Sequence, residues 1–186
     1  IQGGSEKIRR LNDVYVNAGI EIAAYWAQDW VGSRKTAIGK QLWWSWTIDR
    51  ESYPDWETLV AELNHQNIKM LSYLNPFLVD LPKGDRRNLY KEALENDYFI
   101  KQPDGQLYQI QNTSFSASML DLSHPGCRTW IKDVIKEELI ESGVSGWMAD
   151  FGEALPFDAL LHDGDAESYH NRYPVEWIKL NREAIT

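Results

Sequence analysis

Cys127 is the one cysteine in this chain of 186 residues, so no intrachain disulfide can form. It sits inside a helical pattern and reads as a small buried residue. There is no block of Lys or Arg, and the formal net charge is −9. That argues against a nucleic-acid partner. It also means that any anion site has to be built locally. No apolar run is long enough to span a membrane, so no membrane association is expected. No glycine-rich phosphate loop follows the first strand-like run, and Gln2-Gly3-Gly4 is too poor a match to serve as one. Metal-ligand spacing is missing as well. His162 and His170 flank Asp163 and Asp165, but Asp163-Gly164-Asp165 lacks the rest of a calcium loop. That segment reads as a solvated loop, and His65 and His124 read as surface residues on helices. No cofactor and no metal are expected.

What remains is an ordinary globular composition, 43% hydrophobic and 25% charged, with an excess of aromatics: nine Trp and nine Tyr. Aromatics in such numbers suit a core. Clustered beside polar residues, as many are here, they are also what sugar rings stack on. Carbohydrate is therefore the first partner to consider.

The periodicity alternates between helix and strand. Ser5 reads as the N-cap of a helix running to Asn17, and residues 20 to 27 read as a buried strand ending in Gln28-Asp29-Trp30. Val31 to Trp46 carries Arg34, Lys35, Lys40 and Gln41, then Trp43, Trp44 and Trp46. It fits a lid or subsite for a sugar bearing a negative group, and equally an aromatic hairpin packed on a barrel rim. Pro54 opens the next helix, and residues 68 to 74 form the next strand, followed by Asn75-Pro76-Phe77. Asp80 to Lys83 reads as a loop and Arg86 to Glu95 as a helix. A hairpin insertion is expected around Pro103-Asp104-Gly105. Ser118 to Leu122 reads as a further repeat strand, with Ser123 capping a helix that ends near Gly143. A last helix spans about Glu167 to Ile185. The order is βαβα with about four repeat strands. A doubly wound sheet is the alternative. A (β/α)8 barrel needs about 250 residues, so residues 1–186 suffice for roughly half of one.

The stretch with the clearest chemistry is Gly146-Trp147-Met148-Ala149-Asp150-Phe151-Gly152-Glu153. A short buried strand ends there in a carboxylate, with Trp147 and Phe151 as an aromatic wall. In βα-repeat proteins active-site groups sit where strands end, and an Asp in that place suits a nucleophile attacking a sugar carbon. The same residues also fit a turn in which Asp150 caps and Glu153 is solvated.

The stretch Trp147 to Glu153 resembles the catalytic domain of glycoside hydrolase family 31, most closely its sulfoquinovosidase branch. Ile1-Gln2-Gly3-Gly4, Trp26-Ala27-Gln28-Asp29-Trp30 with Gly32 and Arg34, and Tyr73-Leu74-Asn75-Pro76 agree with it. The resemblance implies an α/β fold, a (β/α)8 TIM barrel, and a retaining α-glycosidase. It places the nucleophile on Asp150. It puts Gln28 on the ring hydroxyls, Trp44 at a sulfonate and Asp29 in the same pocket. The branch carries an arginine three positions before that tryptophan, where this chain has Gln41. A neutral amide donates hydrogen bonds but makes no charge-assisted fork. Arg34 or Lys40 are the cations at hand to compensate, although Lys40 points the other way on a strand. Trp147 is a further substrate-binding candidate and Glu153 a supporting one. The resemblance places the acid/base aspartate downstream of Thr186.

Three other readings stay open: an α-glucosidase or α-xylosidase of the same family, a divalent-metal lyase built on Asp150 and Glu153, and a non-catalytic sugar-binding fragment. The chain starts at Ile1 and stops inside a helical pattern, so it is expected to be an internal piece of a longer protein. Half a barrel leaves a sheet edge unpaired, from which a homo-oligomer is expected. One cysteine and the resemblance together lean towards the cytoplasm.

Overall fold

The computed structural model describes residues 1–82 and 84–186. The expected loop Asp80 to Lys83 therefore ends outside the described residues. Three parallel strands form the centre, in the order β1 (Ala24–Trp26), β4 (Lys69–Leu74), β8 (Gly146–Ala149). Helices α1 (Gly4–Asn17), α2 (Trp56–His65) and α4 (Pro125–Ile135) alternate with them along the chain. This is the βα repeat of a barrel. The register pairs Tyr25 with Met70 and Tyr73 with Met148, and the Asp150 N–H extends the β8 ladder to the Leu74 carbonyl (2.9 Å). Asp150 thus stands at the C-terminal end of β8, beside the end of β4.

Several elements differ from the sequence reading. Ser5 does not cap α1. Gly3 occupies the N-cap at φ 119°, its N–H donates to Asp29 Oδ2 (2.8 Å), and the Ser5 N–H is taken by the Ser52 carbonyl (3.0 Å). The first strand shrinks to three residues. The repeat strand expected at Ser118 to Leu122 is instead β7 (Phe115–Met119). It runs antiparallel to β5 (Phe77–Leu78) and β6 (Gln109–Asn112) in a separate three-stranded sheet. The parallel sheet therefore has three described strands where about four were expected. The reason is that β7 returns beside Phe77, just after β4 ends, and pairs with that extension.

The turn expected at Pro103-Asp104-Gly105 is present but short: the Gly105 N–H reaches the Gln102 carbonyl (2.8 Å), the Gln102 N–H the Gln106 carbonyl (2.7 Å), and Lys101 bridges Leu107 antiparallel. A second, longer hairpin follows it and turns at Thr113-Ser114, with Thr113 at φ 33°. Two-residue hairpin turns demand positive φ, and a β-branched residue gives no warning of it. Within residues 31 to 46, β2 (Ser33–Thr36) pairs antiparallel with β3 (Gly39–Leu42), a hairpin as in one of the two readings of this stretch.

Several helix starts differ from the expected ones, and two of them follow a capping side chain. α3 (Leu89–Glu95) begins after Asn88, whose side chain accepts from the Lys91 N–H, while Arg86 turns away to bond Thr47 Oγ1 (2.7 Å). α2 begins after Asp55, leaving Pro54 outside it. His124, not Ser123, caps α4: its ring accepts from the Gly126 and Cys127 N–H groups (3.0 and 3.3 Å), and it lies 4.1 Å from the His162 ring. It is therefore a half-buried cap and not a surface residue. α4 continues into a π-helical turn at Lys136–Ile140. The last helix is split into α5 (Ala166–Tyr169) and α6 (Tyr173–Ala184), because Pro174 has no N–H to give and is tolerated only in a first turn. Among the described residues no helix is long and apolar enough to cross a membrane.

Most of the aromatic excess is core. Trp30, Trp46, Trp56 and Trp177 are fully buried. Each indole N–H meets a carbonyl, respectively of Tyr73, Phe77, Ser142 and Asp150 (2.7 to 3.1 Å). Buried indoles need such partners, and three of these four hold the chain at the ends of β4 and β8. Gly4 shows how closely the first helix packs. It has φ 77°, and a Cβ there would lie 2.3 Å from the Ser52 carbonyl oxygen. Gly4→Ala should cost about 2 kcal/mol of stability, read as a lower denaturant midpoint.

Candidate active site

Asp150 is half-buried at the strand end. Its backbone is fixed on both sides, the N–H by Leu74 and the carbonyl by the Trp177 indole. Its carboxylate Oδ2 accepts from the Tyr73 hydroxyl (2.7 Å). Behind Tyr73 stands Asn75, whose Nδ2 donates to the Tyr73 Oη (3.3 Å) and whose Oδ1 accepts from the Phe77 N–H (3.0 Å). The chain then turns sharply, with Phe151 at φ 60° and Gly152 at φ 119°. A bulky residue in the left-handed region costs of order 1–3 kcal/mol, and such strain clusters at functional sites. A Cβ on Gly152 would meet Pro174 Cα at 3.1 Å, so the turn also needs a glycine to pack on α6.

The Phe151 ring joins Trp44 and Phe77 (centroids 5.4 and 5.8 Å), and Trp44 continues to Phe115 (5.0 Å). Trp44 is therefore next to Asp150 through Phe151, but most of its surface is spent on this cluster. The β2–β3 hairpin brings Arg34 and Gln41 face to face. Gln41 Oε1 accepts from the Ser114 hydroxyl, at the turn of the second hairpin. The Arg34 guanidinium lies between the Trp43 and Phe115 rings (4.3 and 4.1 Å), and neither Nη atom has a partner among the described residues. Burial lowers its pKa from the usual value. Lys40 is exposed on the other side of the hairpin, in a hollow it shares with Asp29 and Ser33.

The other expected residues scatter. Gln28 is half-buried and accepts from the Gln2 amide (3.3 Å). Asp29 is buried and bonded to the Gly3 N–H and the Tyr53 hydroxyl. Trp147 does not join Asp150. Side chains alternate along a strand, so Trp147 faces away from Met148 and Asp150, and its indole donates to Asn181 on α6 (2.8 Å). Glu153 is exposed. A cavity of about 660 Å³ lies beyond the first hairpin, lined by Trp43, Asp49, Arg50 and Arg86 among others, and does not reach Asp150. Among the described residues no three His, Cys, Asp or Glu side chains converge as metal ligands.

Sequence reasoning did not assign roles to Tyr73, Asn75, Ser114 or Phe115. The first two lie in the motif Tyr73-Leu74-Asn75-Pro76. Ser114 and Phe115 carry no sequence signal, since only the unexpected second hairpin brings them here.

The family model for the glycosyl hydrolases family 31 TIM-barrel domain matches residues 3–186. The sulfoquinovosidase of Escherichia coli (strain K12) is 39% identical over 186 residues, and that of Agrobacterium fabrum 34% over 188. Each match takes in all of this chain and 27% of the relative, so the chain spans about a quarter of their length. Among solved structures, a GH31 family sulfoquinovosidase from E. rectale in complex with an aza-sugar inhibitor superposes with a TM-score of 0.91 at 41% identity, covering 100% of this chain and 27% of that one.

Proposed function

The chain belongs to glycosyl hydrolase family 31, as part of its TIM-barrel domain, and from that membership we propose that it carries the nucleophile of a retaining α-glycoside hydrolase. The observation that carries this reading is the placement of Asp150. It is an anionic side chain at the C-terminal end of a parallel strand, fixed by Tyr73, Leu74 and Trp177 and walled by aromatic rings. Its carboxylate attacks the anomeric carbon as the leaving oxygen departs, giving a covalent glycosyl-enzyme that water then hydrolyses. The acid/base carboxyl comes from outside residues 1–186. Trp44, joined to Asp150 through Phe151, borders the sugar.

The substrate class we propose is an α-sulfoquinovoside, on the strength of what the 34–41% identical relatives are named for. Arg34 supports an anionic sugar. It is held by two rings, and its Nη atoms are bonded to no protein acceptor. A buried guanidinium without an acceptor is costly, and a sulfonate oxygen would offset that cost once the hairpin shifts to open the Nη atoms, which the flanking rings cover. Gln41 favours the second reading, a neutral α-glycoside, because its amide already engages Ser114 and brings no charge.

Aryl α-sulfoquinovoside and aryl α-glucoside, compared on the full-length protein, separate the two. A higher kcat/KM on the sulfonated sugar is expected. Gln41→Arg should raise the sulfonated-to-neutral ratio about tenfold, the worth of one charge-assisted hydrogen bond. An unchanged ratio would remove Gln41 from the sulfonate.

A further inference from the structure

We infer that Tyr73 is a positioning residue that reserves Oδ2 of Asp150 and leaves Oδ1 as the attacking atom. This rests on the reading of Asp150 as nucleophile and goes one step further into its chemistry.

The direction of each hydrogen bond is fixed by elimination. The Phe77 backbone N–H can only donate, so the Asn75 side chain must turn its oxygen towards it. The Asn75 amide nitrogen then faces Tyr73 and donates to its Oη. Asn75 is fully buried, so this orientation has no solvent-facing alternative. Tyr73 Oη accepts from Asn75, and its single proton is left for Asp150 Oδ2 at 2.7 Å. Burial pushes the Tyr73 phenol pKa well above its usual value. Asn75 opposes this, and the Asp150 and Glu153 carboxylates add to it. The hydroxyl is therefore a donor throughout the working range. The ring cannot swing away, since it packs on Trp46 (centroids 5.9 Å) and its backbone carbonyl holds the Trp30 indole.

The two chemical steps use this bond unequally. In the first, Oδ1 forms a bond to the anomeric carbon as the bond to the leaving oxygen breaks. Oδ2 becomes an ester carbonyl, a weaker acceptor than a carboxylate. In the second, water gives a proton to the acid/base carboxyl supplied from outside residues 1–186 and attacks the anomeric carbon, and the bond to Oδ1 breaks. Its electron pair returns to Asp150, and the full charge on Oδ2 is again met by Tyr73. Hydrogen bonds to charged groups are worth more than those to neutral ones. Tyr73 therefore helps Asp150 more as a leaving group than as a nucleophile.

The test is Tyr73→Phe in the full-length protein, assayed with a dinitrophenyl glycoside of the preferred sugar, by rapid mixing and intact-mass measurement. Turnover should fall about ten- to hundredfold. The burst should rise towards one equivalent per site as the Asp150 adduct accumulates, with melting temperature retained. A residue that only packs has no reason to make an intermediate pile up. Wild-type turnover overturns the inference. So does a fall in turnover without adduct, which would mean the first step had become limiting. If the variant loses its fold, Asn75→Asp takes its place. That carboxylate would draw the Tyr73 proton away from Asp150, so accumulation is again expected, and wild-type kinetics would count against the proposal. If neither the wild-type protein nor the variants form an adduct on Asp150, the nucleophile reading falls and takes this one with it. Adduct on Asp150 with unaltered kinetics in the variants removes the role of Tyr73 alone.

Discussion

Asp150→Asn should lower turnover of an activated aryl α-glycoside by about 10⁴-fold or more, and the covalent adduct should disappear with it. The substitution suits the test because so little of the fold depends on the charge. The Asp150 N–H still reaches the Leu74 carbonyl, and its own carbonyl still holds Trp177. The amide oxygen can still accept from Tyr73. What is lost is the anionic oxygen, and a neutral amide is a poor nucleophile. The melting temperature should therefore stay within about 2 °C of the parent, while the initial burst of phenol vanishes. An activated leaving group matters here, because it needs little help from the general acid and so isolates the nucleophile. Glu153→Gln is the matched control, a carboxylate three residues away and exposed to solvent. Its loss should change turnover less than about tenfold, as expected for a group outside the chemistry. Equal losses from the two substitutions would mean that both carboxylates act together, and would reopen the metal-assisted reading. Full activity in a chelator would then close it again.

The extent to which the site could be read from the sequence depends on how far apart its parts lie. The strand-end position of Asp150 is legible because the whole signal is local: an apolar strand, a carboxylate at its end, then Phe151-Gly152 as the turn. β4 and the helices α1, α2 and α4 were legible for the same reason, as apolar periodicity within a dozen residues. The contact of Tyr73 with Asp150 is not, because it depends on register. β4 and β8 pair Tyr73 with Met148, which puts Asp150 two residues further along on the same face and within reach of a long side chain. No pattern within either strand announces that register. Trp147 shows the opposite error. It was read as part of the sugar wall because it lies near Asp150 in sequence, yet period-two alternation turns it to α6. Arg34 and Gln41 were recognised as candidates, but not the rings and the Ser114 hydroxyl that hold them, since those arrive on a hairpin whose turn at Thr113 broke the usual residue preferences.

Asp29 poses the sharpest test of what the Gln28-Asp29-Trp30 motif is for. The resemblance implies a place in the substrate pocket, while its hydrogen bonds are spent inside the protein. One oxygen accepts from the Gly3 N–H at the start of α1 (2.8 Å), and the other from the hydroxyl of Tyr53, which is fully buried. Burial, then the adjoining Asp29, pushes the Tyr53 phenol pKa far up, so Tyr53 is a permanent donor that needs an acceptor. Asp29→Ala strands both donors in the interior. Each unsatisfied buried group costs roughly 1–3 kcal/mol, so a total loss of about 3 kcal/mol of folding stability is expected. Asp29→Asn should cost less, about half as much, because its amide oxygen can still serve one of the two donors. Denaturant titration of the two variants beside the parent gives these values. Steady-state kinetics of the folded fraction supplies the complement: KM within about twofold of the parent is expected if Asp29 only ties α1 to the end of β1. An unchanged denaturant midpoint together with a large rise in KM would instead return Asp29 to the sugar.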